Sequence, residues 1–219
     1  MNPSQGYFDR VAARWDRMRE SFFSAAVRER ALAVAGVRPG RVAADIGAGT
    51  GFMAEGLLLR GLRVIAIDPS AAMRDQLARK FAGTEGLELR EGTAEALPLP
   101  DASVDYAFAN MCLHHVEHPP RAIREMARIL RPGGVLVVTD LDEHRFEFLR
   151  TEHHDRWLGF RREEVARWFR EAGLVDVRVE CAGEDCCARA CSGDAYARVS
   201  IFLASGRKPG PGAGGRDAI

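Results

Sequence analysis

The stretch DIGAGTG at residues 45–51 constrains the fold of this chain more than any other. It overlaps the end of the apolar run VAADI, which is typical of a buried strand, and it leads into a segment with helical periodicity. Glycines between a strand and a helix let the backbone turn tightly and approach a ligand closely. A second strand pattern, VIAID, ends in Asp68, 23 residues after Asp45. This order of elements predicts an α/β sheet with a ligand site at the glycine loop.

Two details of the loop bear on the kind of ligand. The dinucleotide-binding fingerprint has a third glycine at the position where Phe52 stands. Asp45 puts a carboxylate just before the glycines, where it would repel a pyrophosphate and attract a cation. Asp68, at the tip of the second strand, can accept hydrogen bonds from both hydroxyls of a ribose. These features disfavour a dinucleotide and favour a cationic ligand that carries a ribose. The alternative interpretation is that the stretch is a structural turn with a helix-capping acid.

Helical and strand patterns alternate along the rest of the chain. The predicted helices cover residues 21–36, 50–61, 69–83, 120–131 and 161–173. The predicted strands cover residues 41–49, 62–68, 87–92, 103–111, 135–141, 174–183 and 195–205. This alternation predicts a doubly wound, mainly parallel, Rossmann-like sheet of seven strands. The last two strands have no helix between them and should pair as an antiparallel hairpin.

The composition of the chain indicates how many domains it has and which kinds of partner it is expected to lack. No linker divides residues 1–205, so we expect one domain there, with residues 1–38 as an N-terminal helical cap. The tail at residues 206–219 is rich in Gly and Pro and is predicted to be disordered. Lys+Arg and Asp+Glu both number 31, and this balance argues against a nucleic-acid partner. Without a signal core or an apolar run of about 18 residues, we expect a cytoplasmic protein with no membrane partner.

Taken together, the motifs resemble those of class I S-adenosylmethionine-dependent methyltransferases, close to the ubiquinone/menaquinone-type small-molecule group. The resemblance lies within residues 7–175, in YFDRVAARWD, VAADIGAGTGF, VIAIDPS, GTAEALPLPDASVDYAFANMCLHHV and RILRPGGVLVVTD. It implies a seven-stranded sheet whose last strand is antiparallel and inserted beside the fifth. It also implies S-adenosyl-L-methionine as the cofactor and a small molecule as the methyl acceptor.

The resemblance further implies a set of cofactor-binding residues. Asp45 and the glycine loop should surround the methionine part, Asp68 should bind the ribose, residues 93–95 should lie by the adenine, and residues 110–113 by the sulfonium. One departure is Thr93, which stands where the family usually has Asp, so any bond to the adenine amine has less charge assistance. The expected set is Asp45, Gly47, Ala48, Gly49, Gly51, Asp68, Pro69, Met73, Thr93, Ala94, Glu95, Asn110 and Met111.

Histidines concentrate after the fourth and fifth strands, at the carboxyl edge where open α/β sheets bind ligands. If the acceptor is a phenol, an amine or an acidic carbon, one base with a pKa near neutrality assists methyl transfer, and histidine suits this role. His115 is the first candidate for the base, and His153 or His154 is the second. The alternative is that these side chains only shape the pocket. An apolar wall for the substrate is expected from Phe146, Phe148, Trp157 and Phe160.

Four of the five cysteines lie in CAGEDCCARAC, residues 181–191, which we expect to turn the hairpin between the last two strands. The spacing lacks the paired C-x2-C knuckles of a structural zinc site, and no metal ligand is assigned. Together with Cys112 the stretch could hold a thiophilic metalloid such as arsenite, or its cysteines could pack as small apolar groups. We predict that Cys186 or Cys187, with Cys191 or Cys112, lies within reach of the substrate pocket, and that these thiols are reduced and reactive.

The sequence therefore predicts methyl transfer from S-adenosyl-L-methionine to a small-molecule acceptor. The first alternative is methylation of a thiophilic metalloid or a thiol by way of the cysteine stretch. The second is a cofactor-binding sensor or partner subunit that keeps the fold without catalysis.

Overall fold

The computed structural model describes residues 3–190, 192–193 and 195–210. Its helices are α1 (Pro3–Val11), α2 (Trp15–Phe22), α3 (Ala25–Ala35), α4 (Phe52–Leu58), α5 (Ala71–Lys80), α6 (Pro119–Ile129), α7 (Glu147–Glu152) and α8 (Arg162–Glu171). Its strands are β1 (Val42–Ile46), β2 (Arg63–Asp68), β3 (Leu87–Glu91), β4 (Val104–Asn110), β5 (Leu130–Leu141), β6 (Val175–Arg189) and β7 (Tyr196–Arg207). Short 3-10 turns cover Ala12–Arg14 and Leu113–His115.

The strands form one sheet in the order β3-β2-β1-β4-β5-β7-β6. Strands β1 to β5 pair in parallel, whereas β7 is antiparallel to both of its neighbours, β5 and β6. The predicted fold, a seven-stranded mainly parallel sheet with an inserted antiparallel last strand, is confirmed. The strand order reverses between β1 and β4, and such a reversal opens a crevice at the carboxyl ends of the two strands.

Alternate residues of the central strands face opposite sides of the sheet, and helices cover both sides. Phe108 of β4 packs in one buried cluster with Val27 of α3 and Leu57 of α4. Its neighbour Ala107 packs in the other cluster with Met126 of α6. Because both faces are covered, side chains on both faces are apolar in the middle of these strands, as in Ala43–Ala44 of β1 and Ala107–Ala109 of β4.

Local signals in the sequence begin and end the helices around the glycine loop. The Ser70 side chain accepts a hydrogen bond from the Met73 N–H at 3.1 Å and caps α5. The Ser24 side chain accepts one from Ala26 and caps α3. Gly36 ends α3 with a left-handed φ of 59°, a conformation that glycine adopts without a steric penalty. Within the described residues, none of the helices is both long and apolar enough to cross a membrane.

The hairpin of β6 and β7 differs from the prediction. The cysteine stretch does not turn it, because β6 continues through Cys187 and pairs with β7 as far as Arg189. The last paired residues are Arg189 and Tyr196, and beyond them the Ala190 N–H donates to the Ala195 carbonyl at 2.9 Å. Small apolar residues at every second position, including Cys186 and Ala188, are buried, and this period of two suits a strand better than a loop.

The end of β7 also lies beyond the predicted boundary at residue 205. Gly206 and Arg207 belong to the strand, and Lys208 Nζ donates to the carbonyls of Ala127 and Arg128 at 2.8 and 3.1 Å. The prediction that the tail starts at residue 206 is therefore wrong. Residues 211–219 of the predicted tail and Cys191 of the cysteine stretch lie outside the described residues.

Candidate active site

Two adjoining cavities open at the carboxyl ends of the central strands. The first, here called the glycine-loop cavity, holds about 1100 Å³ of space including its mouth and lies against residues 45–49. The second, called the aromatic cavity, holds about 480 Å³ and lies between the N-terminal helices and residues 141–155. Residues that line both cavities are Phe8, Trp15, Phe23, Met111 and His115. The two spaces therefore meet along one shared wall.

The glycine loop has a backbone that suits glycine alone. Gly47, Gly49 and Gly51 have φ angles of 68°, 53° and 92°, in the left-handed region that disfavours a Cβ. A Cβ on Gly47 would lie 2.4 Å from Sγ of Cys112. The loop after β1 thus packs directly against the segment after β4, and this contact forms the floor of the glycine-loop cavity.

Two buried carboxylates hold the loop in place. The Gly49 and Ser70 N–H groups donate to Oδ2 and Oδ1 of Asp68, both at 2.8 Å. The Ala54 N–H, in the first turn of α4, donates to Oδ2 of Asp45 at 2.9 Å. Asp45 is therefore a helix-capping acid, as the alternative interpretation held, and it also lines the cavity. Burial raises the pKa of Asp45 to about 7 and the pKa of Asp68 to about 6.

Almost all of the residues predicted to bind a cofactor surround this one cavity. Those on its wall are Asp45, Gly47, Ala48, Gly49, Asp68, Pro69, Met73, Thr93, Ala94, Glu95, Asn110 and Met111. Gly51 is not on the wall but is the N-cap residue of α4. Met111 has a φ of 51° although it carries a side chain. Such local strain is characteristic of functional sites.

The N-terminal helices close the glycine-loop cavity from above. Asp9 accepts a hydrogen bond from the Ser70 hydroxyl at 2.6 Å, and Asp16 accepts one from the Thr50 hydroxyl. Trp15 lies over the loop, because a Cβ on Gly49 would be 3.6 Å from its Nε1. Two hydrogen bonds and an aromatic contact thus tie the cap to the ends of the cavity.

The apolar wall of the aromatic cavity comes from the cap and not from the predicted segment. Trp157 is 41% exposed and donates its Nε1–H to the Val116 carbonyl at 2.9 Å, and Phe160 is buried in the core beside α8. Phe146 and Phe148 pack against the main cluster without lining either cavity. The apolar wall predicted from these four residues is therefore wrong. The aromatic rings that do line the cavity belong to Tyr7, Phe8, Trp15, Phe22 and Phe23.

A chain of buried polar groups crosses the floor of the aromatic cavity. His114 Nδ1 lies 2.6 Å from Oδ1 of Asp140, and His114 Nε2 lies 3.7 Å from Oδ1 of Asp155. Burial opposes a charge on this ring, but the two carboxylates outweigh it and raise the pKa of His114 to about 9. Burial also raises the pKa of Asp155 to about 6. Neither His114 nor Asp155 was predicted as a site residue, although both lie in the segments after β4 and β5 at the carboxyl edge.

The three predicted base candidates occupy different places. His115 lines both cavities, and His153 lines the aromatic cavity, where its Nδ1 is 3.5 Å from the Tyr7 hydroxyl. His154 is not among the lining residues, but its carbonyl lies 3.3 Å from Nδ1 of His115. Because a carbonyl only accepts, that nitrogen of His115 carries the hydrogen. Burial and the adjacent His114 hold the pKa of His115 well below its usual range.

The cysteines separate into two groups. Cys186 lines the aromatic cavity and Cys112 lines the glycine-loop cavity. These two form one of the cysteine pairs that were predicted to lie near the substrate pocket. Cys181 and Cys187 line a separate surface groove. Burial raises the pKa of the Cys186 thiol to about 12 and that of Cys112 still further. Thiolate formation is therefore suppressed at the two cavity positions, contrary to the prediction that these thiols are reactive.

Comparisons with known proteins agree with this geometry. A family model described as a methyltransferase domain matches residues 44–138. An uncharacterized methyltransferase of Mycobacterium tuberculosis (strain ATCC 25618 / H37Rv) is 48% identical over 92 residues, which cover 42% of this chain and 36% of the relative. The malonyl-[acyl-carrier protein] O-methyltransferase of Serratia marcescens is 31% identical over 177 residues, which cover 78% of this chain and 66% of the relative. The chain thus spans about a third of the length of the first of these two relatives.

Solved structures match over most of the chain. One is a chain of the complex between the Haloferax volcanii Trm112 methyltransferase activator and a methyltransferase, with a TM-score of 0.73, 23% identity and coverage of 92% of this chain and 97% of that one. Another is a Haemonchus contortus phosphoethanolamine N-methyltransferase in complex with S-adenosyl-L-methionine, with a TM-score of 0.69, 16% identity and coverage of 83% and 52%. The chain therefore has a methyltransferase fold, and its central segment is homologous to methyltransferases.

Proposed function

We propose that this chain, which carries a methyltransferase domain, is an S-adenosyl-L-methionine-dependent methyltransferase that acts on a small-molecule acceptor. The observation that supports this most is the shared wall of the two cavities, where Met111 and His115 face both spaces. Methyl transfer requires the acceptor atom within about 3–3.5 Å of the methyl carbon. Adjoining cavities with a shared wall support such an approach of the acceptor to the cofactor.

In this proposal the glycine-loop cavity binds the cofactor. Asp68, at the end of β2, accepts hydrogen bonds from the ribose hydroxyls, and Asp45 favours the positive charge of the methionine part. Residues 93–95 flank the adenine, and Asn110 lies towards the sulfonium. These assignments follow the family resemblance, and the position of all these residues on the wall of one cavity supports them.

The aromatic cavity binds the acceptor. Its wall combines aromatic rings from α1 and α2 with Leu141, Leu149 and the buried histidines. Such a wall suits a ligand with a flat or apolar body and one polar group. We therefore propose a hydroxylated or acidic small molecule with an aromatic or unsaturated body as the acceptor class. The Serratia relative, named as an O-methyltransferase, supports oxygen as the acceptor atom.

His115 and His153 are the proposed bases, because both line the aromatic cavity. His154 is proposed as a positioning residue that orients His115 through its carbonyl. For a hydroxyl acceptor, we expect His153→Gln to lower kcat about 100-fold while the Kd for the cofactor stays the same. His118→Gln, an exposed position on the same edge, is the matched control.

Calorimetric titration tests the cofactor assignment. We expect S-adenosyl-L-methionine and S-adenosylhomocysteine to bind with micromolar Kd values at one site per chain, and NAD⁺ not to bind. Binding of NAD⁺ in preference to S-adenosyl-L-methionine would contradict the proposal.

Turnover with isotope-labelled methyl cofactor tests the acceptor class. The panel contains phenols, hydroquinones, free carboxylic acids, primary amines and malonyl-[acyl-carrier protein], and we expect the label in a phenol, hydroquinone or carboxylate product. Tight cofactor binding without transfer to any of these acceptors would favour the non-catalytic alternative instead.

Methylation of a metalloid has less support. It requires several thiolates around one point. Among the described cysteines, Cys186 is the only one that lines the aromatic cavity. The expectations of a cytoplasmic protein without a nucleic-acid partner stay predictions, and the zero net charge supports the second of them.

A further inference from the structure

His114, His115 and Asp155 form a cluster at the floor of the aromatic cavity that the proposed reaction does not require as a unit. Each side chain offers one ligand atom, and these three atoms lie within 4.8 Å of one another. The two histidines follow β4 in a 3-10 turn, and Asp155 follows α7 about 40 residues later. The fold thus brings together three groups that commonly bind transition metals.

Both imidazole rings are fixed by a hydrogen bond at Nδ1. That of His114 faces the Asp140 carboxylate at 2.6 Å, and that of His115 faces the His154 carbonyl at 3.3 Å. Each ring therefore presents Nε2 as its ligand atom. His114, which the two carboxylates keep protonated, has to release the Nε2 proton when it binds a metal. Metal-binding histidines typically have this arrangement, with the second ring nitrogen donating to a carboxylate or a carbonyl.

Asp140 is itself held rigidly. Its Oδ2 accepts from the N–H groups of Leu113 and His114 at 2.8 and 3.3 Å, and its Oδ1 also accepts from the Leu141 N–H at 2.8 Å. The cluster thus has an outer layer of hydrogen bonds that orients a ligand, as preorganised metal sites do.

The charges around the cluster favour a divalent cation. Asp140 is fully buried and Asp155 is 5% exposed, and within the described residues neither forms an ion pair with Arg or Lys. His114 contacts both carboxylates but carries at most one positive charge. A buried carboxylate whose negative charge is not balanced lowers the stability of the fold. A divalent cation would balance the charges of both carboxylates.

We propose that His114, His115 and Asp155 bind a first-row divalent transition metal at the floor of the aromatic cavity. Two nitrogen ligands disfavour Mg²⁺ and Ca²⁺, which prefer oxygen, and favour ions such as Zn²⁺ and Co²⁺. Tetrahedral bonds of about 2.0–2.2 Å put the ligand atoms about 3.3–3.6 Å apart, so their separations, now within 4.8 Å, have to shorten by up to about 1.5 Å. Three protein ligands leave coordination positions open towards the cavity, as in catalytic rather than structural sites. A metal at Nε2 leaves His115 no nitrogen that can accept a proton, because its Nδ1 carries the hydrogen. In the metal-bound protein His153 is therefore the base of the proposed reaction.

Metal titration of the untagged full chain tests the proposal without any acceptor. After treatment with a chelator and its removal, the protein is titrated with ZnCl₂ by calorimetry and with CoCl₂ by visible absorption. We expect one ion per chain, with the Co²⁺ absorption bands of a site of low coordination number. Circular dichroism of each variant establishes that it is folded.

Variants of the cluster locate the ion. His115→Gln and Asp155→Asn, which keep the shape of the side chain, should weaken Zn²⁺ binding by about 100-fold or more, and Asp140→Asn by about 10- to 100-fold. His118→Gln and Cys181→Ser are exposed controls and should bind as the wild type does. A folded wild type that binds neither ion stoichiometrically, or folded His115→Gln and Asp155→Asn variants that bind unchanged, would overturn the proposal. The cluster would then be a chain of buried ion pairs centred on a protonated His114.

Discussion

The glycine-loop cavity and the aromatic cavity share a wall but are built in different ways. The first is formed mostly by backbone turns at the ends of β1, β2 and β4 and by residues directly after them. The second draws side chains from α1, α2, the segment after β4, α7 and β6. One cavity depends on short stretches with fixed spacing, and the other depends on packing between segments more than 100 residues apart. Substitutions in the two cavities should therefore affect cofactor and acceptor separately.

The largest effect is expected at the tightest contact of the glycine loop. Gly47→Ala puts a Cβ against Cys112 at a positive φ, so we expect a loss of about 2–5 kcal/mol in the free energy of unfolding and at least about 100-fold in cofactor affinity. Chemical denaturation and calorimetry measure the two quantities. Gly36→Ala is the matched control, because its φ is 59° but no atom lies within 4 Å of the added Cβ. It should cost only about 1–2 kcal/mol and leave cofactor affinity unchanged.

Asp68→Asn is expected to weaken cofactor binding by about 10- to 100-fold, because an amide replaces a charge-assisted acceptor for the ribose. The measurement is calorimetric titration with S-adenosyl-L-methionine. Asp75→Asn, an exposed change on α5, serves as the control. Equal affinity of wild type and Asp68→Asn would remove the ribose role and leave Asp68 as a support of the loop.

Asp45→Asn should have opposite effects on stability and on binding. The pKa of Asp45 is about 7 in the folded protein and about 3.9 in an unfolded chain. The folded state therefore holds the proton more tightly, and ionisation reduces stability as the pH rises from about 4 through 7. We expect Asp45→Asn to raise the Tm of the cofactor-free protein more at pH 8 than at pH 5, and to weaken cofactor binding about 10-fold at pH 8.

The same two acids should make cofactor binding depend on pH. As Asp68 and Asp45 ionise, with pKa values of about 6 and 7, affinity for the cationic cofactor should increase between pH 5 and pH 8. A wild-type Kd that is flat over this range would show that neither charge faces the ligand.

Phe22→Leu tests the aromatic cavity alone, because Phe22 lines that cavity and not the other. Loss of a ring from the wall should raise the KM for the acceptor about 3- to 10-fold and change the cofactor Kd by less than about 2-fold. Steady-state kinetics with the acceptor found in the labelled-methyl assay provide the measurement. A larger change in cofactor Kd than in acceptor KM would mean that the two cavities do not divide the ligands in this way.

The smallest effects are expected at the cysteines. Iodoacetamide at neutral pH should modify the exposed Cys181 first and leave Cys112 and Cys186 intact, because burial raises the pKa of both cavity thiols. Peptide mass spectrometry identifies the modified positions. Cys186→Ser should change the cofactor Kd by less than about 2-fold, and rapid modification of Cys186 would show that the cavity admits solvent at this wall.

The residues around the glycine-loop cavity could be predicted from the sequence. Asp45 and the glycines are adjacent in the chain, and Asp68 ends the neighbouring strand, so parallel pairing of β1 and β2 is enough to bring them together. Glycines at positive φ and an acid at a strand end have few other structural uses in this order. The alternation of strands and helices predicted a mainly parallel sheet, whereas the insertion of the last strand beside the fifth was implied by the family resemblance.

The wall of the aromatic cavity could not be predicted in this way, because it depends on how distant segments pack. Whether Cys186 or Cys187 faces the cavity depends on the register of β6 against β7, in which four residues of β6 after Cys181 oppose two of β7. Tyr7 reaches His153 across 146 residues of sequence, and no periodicity within either segment encodes that contact. The burial of His114 between Asp140 and Asp155 likewise follows from where β5 and α7 pack. A backbone turn is specified by the residues that form it, whereas a cavity wall is specified by every element that packs behind it.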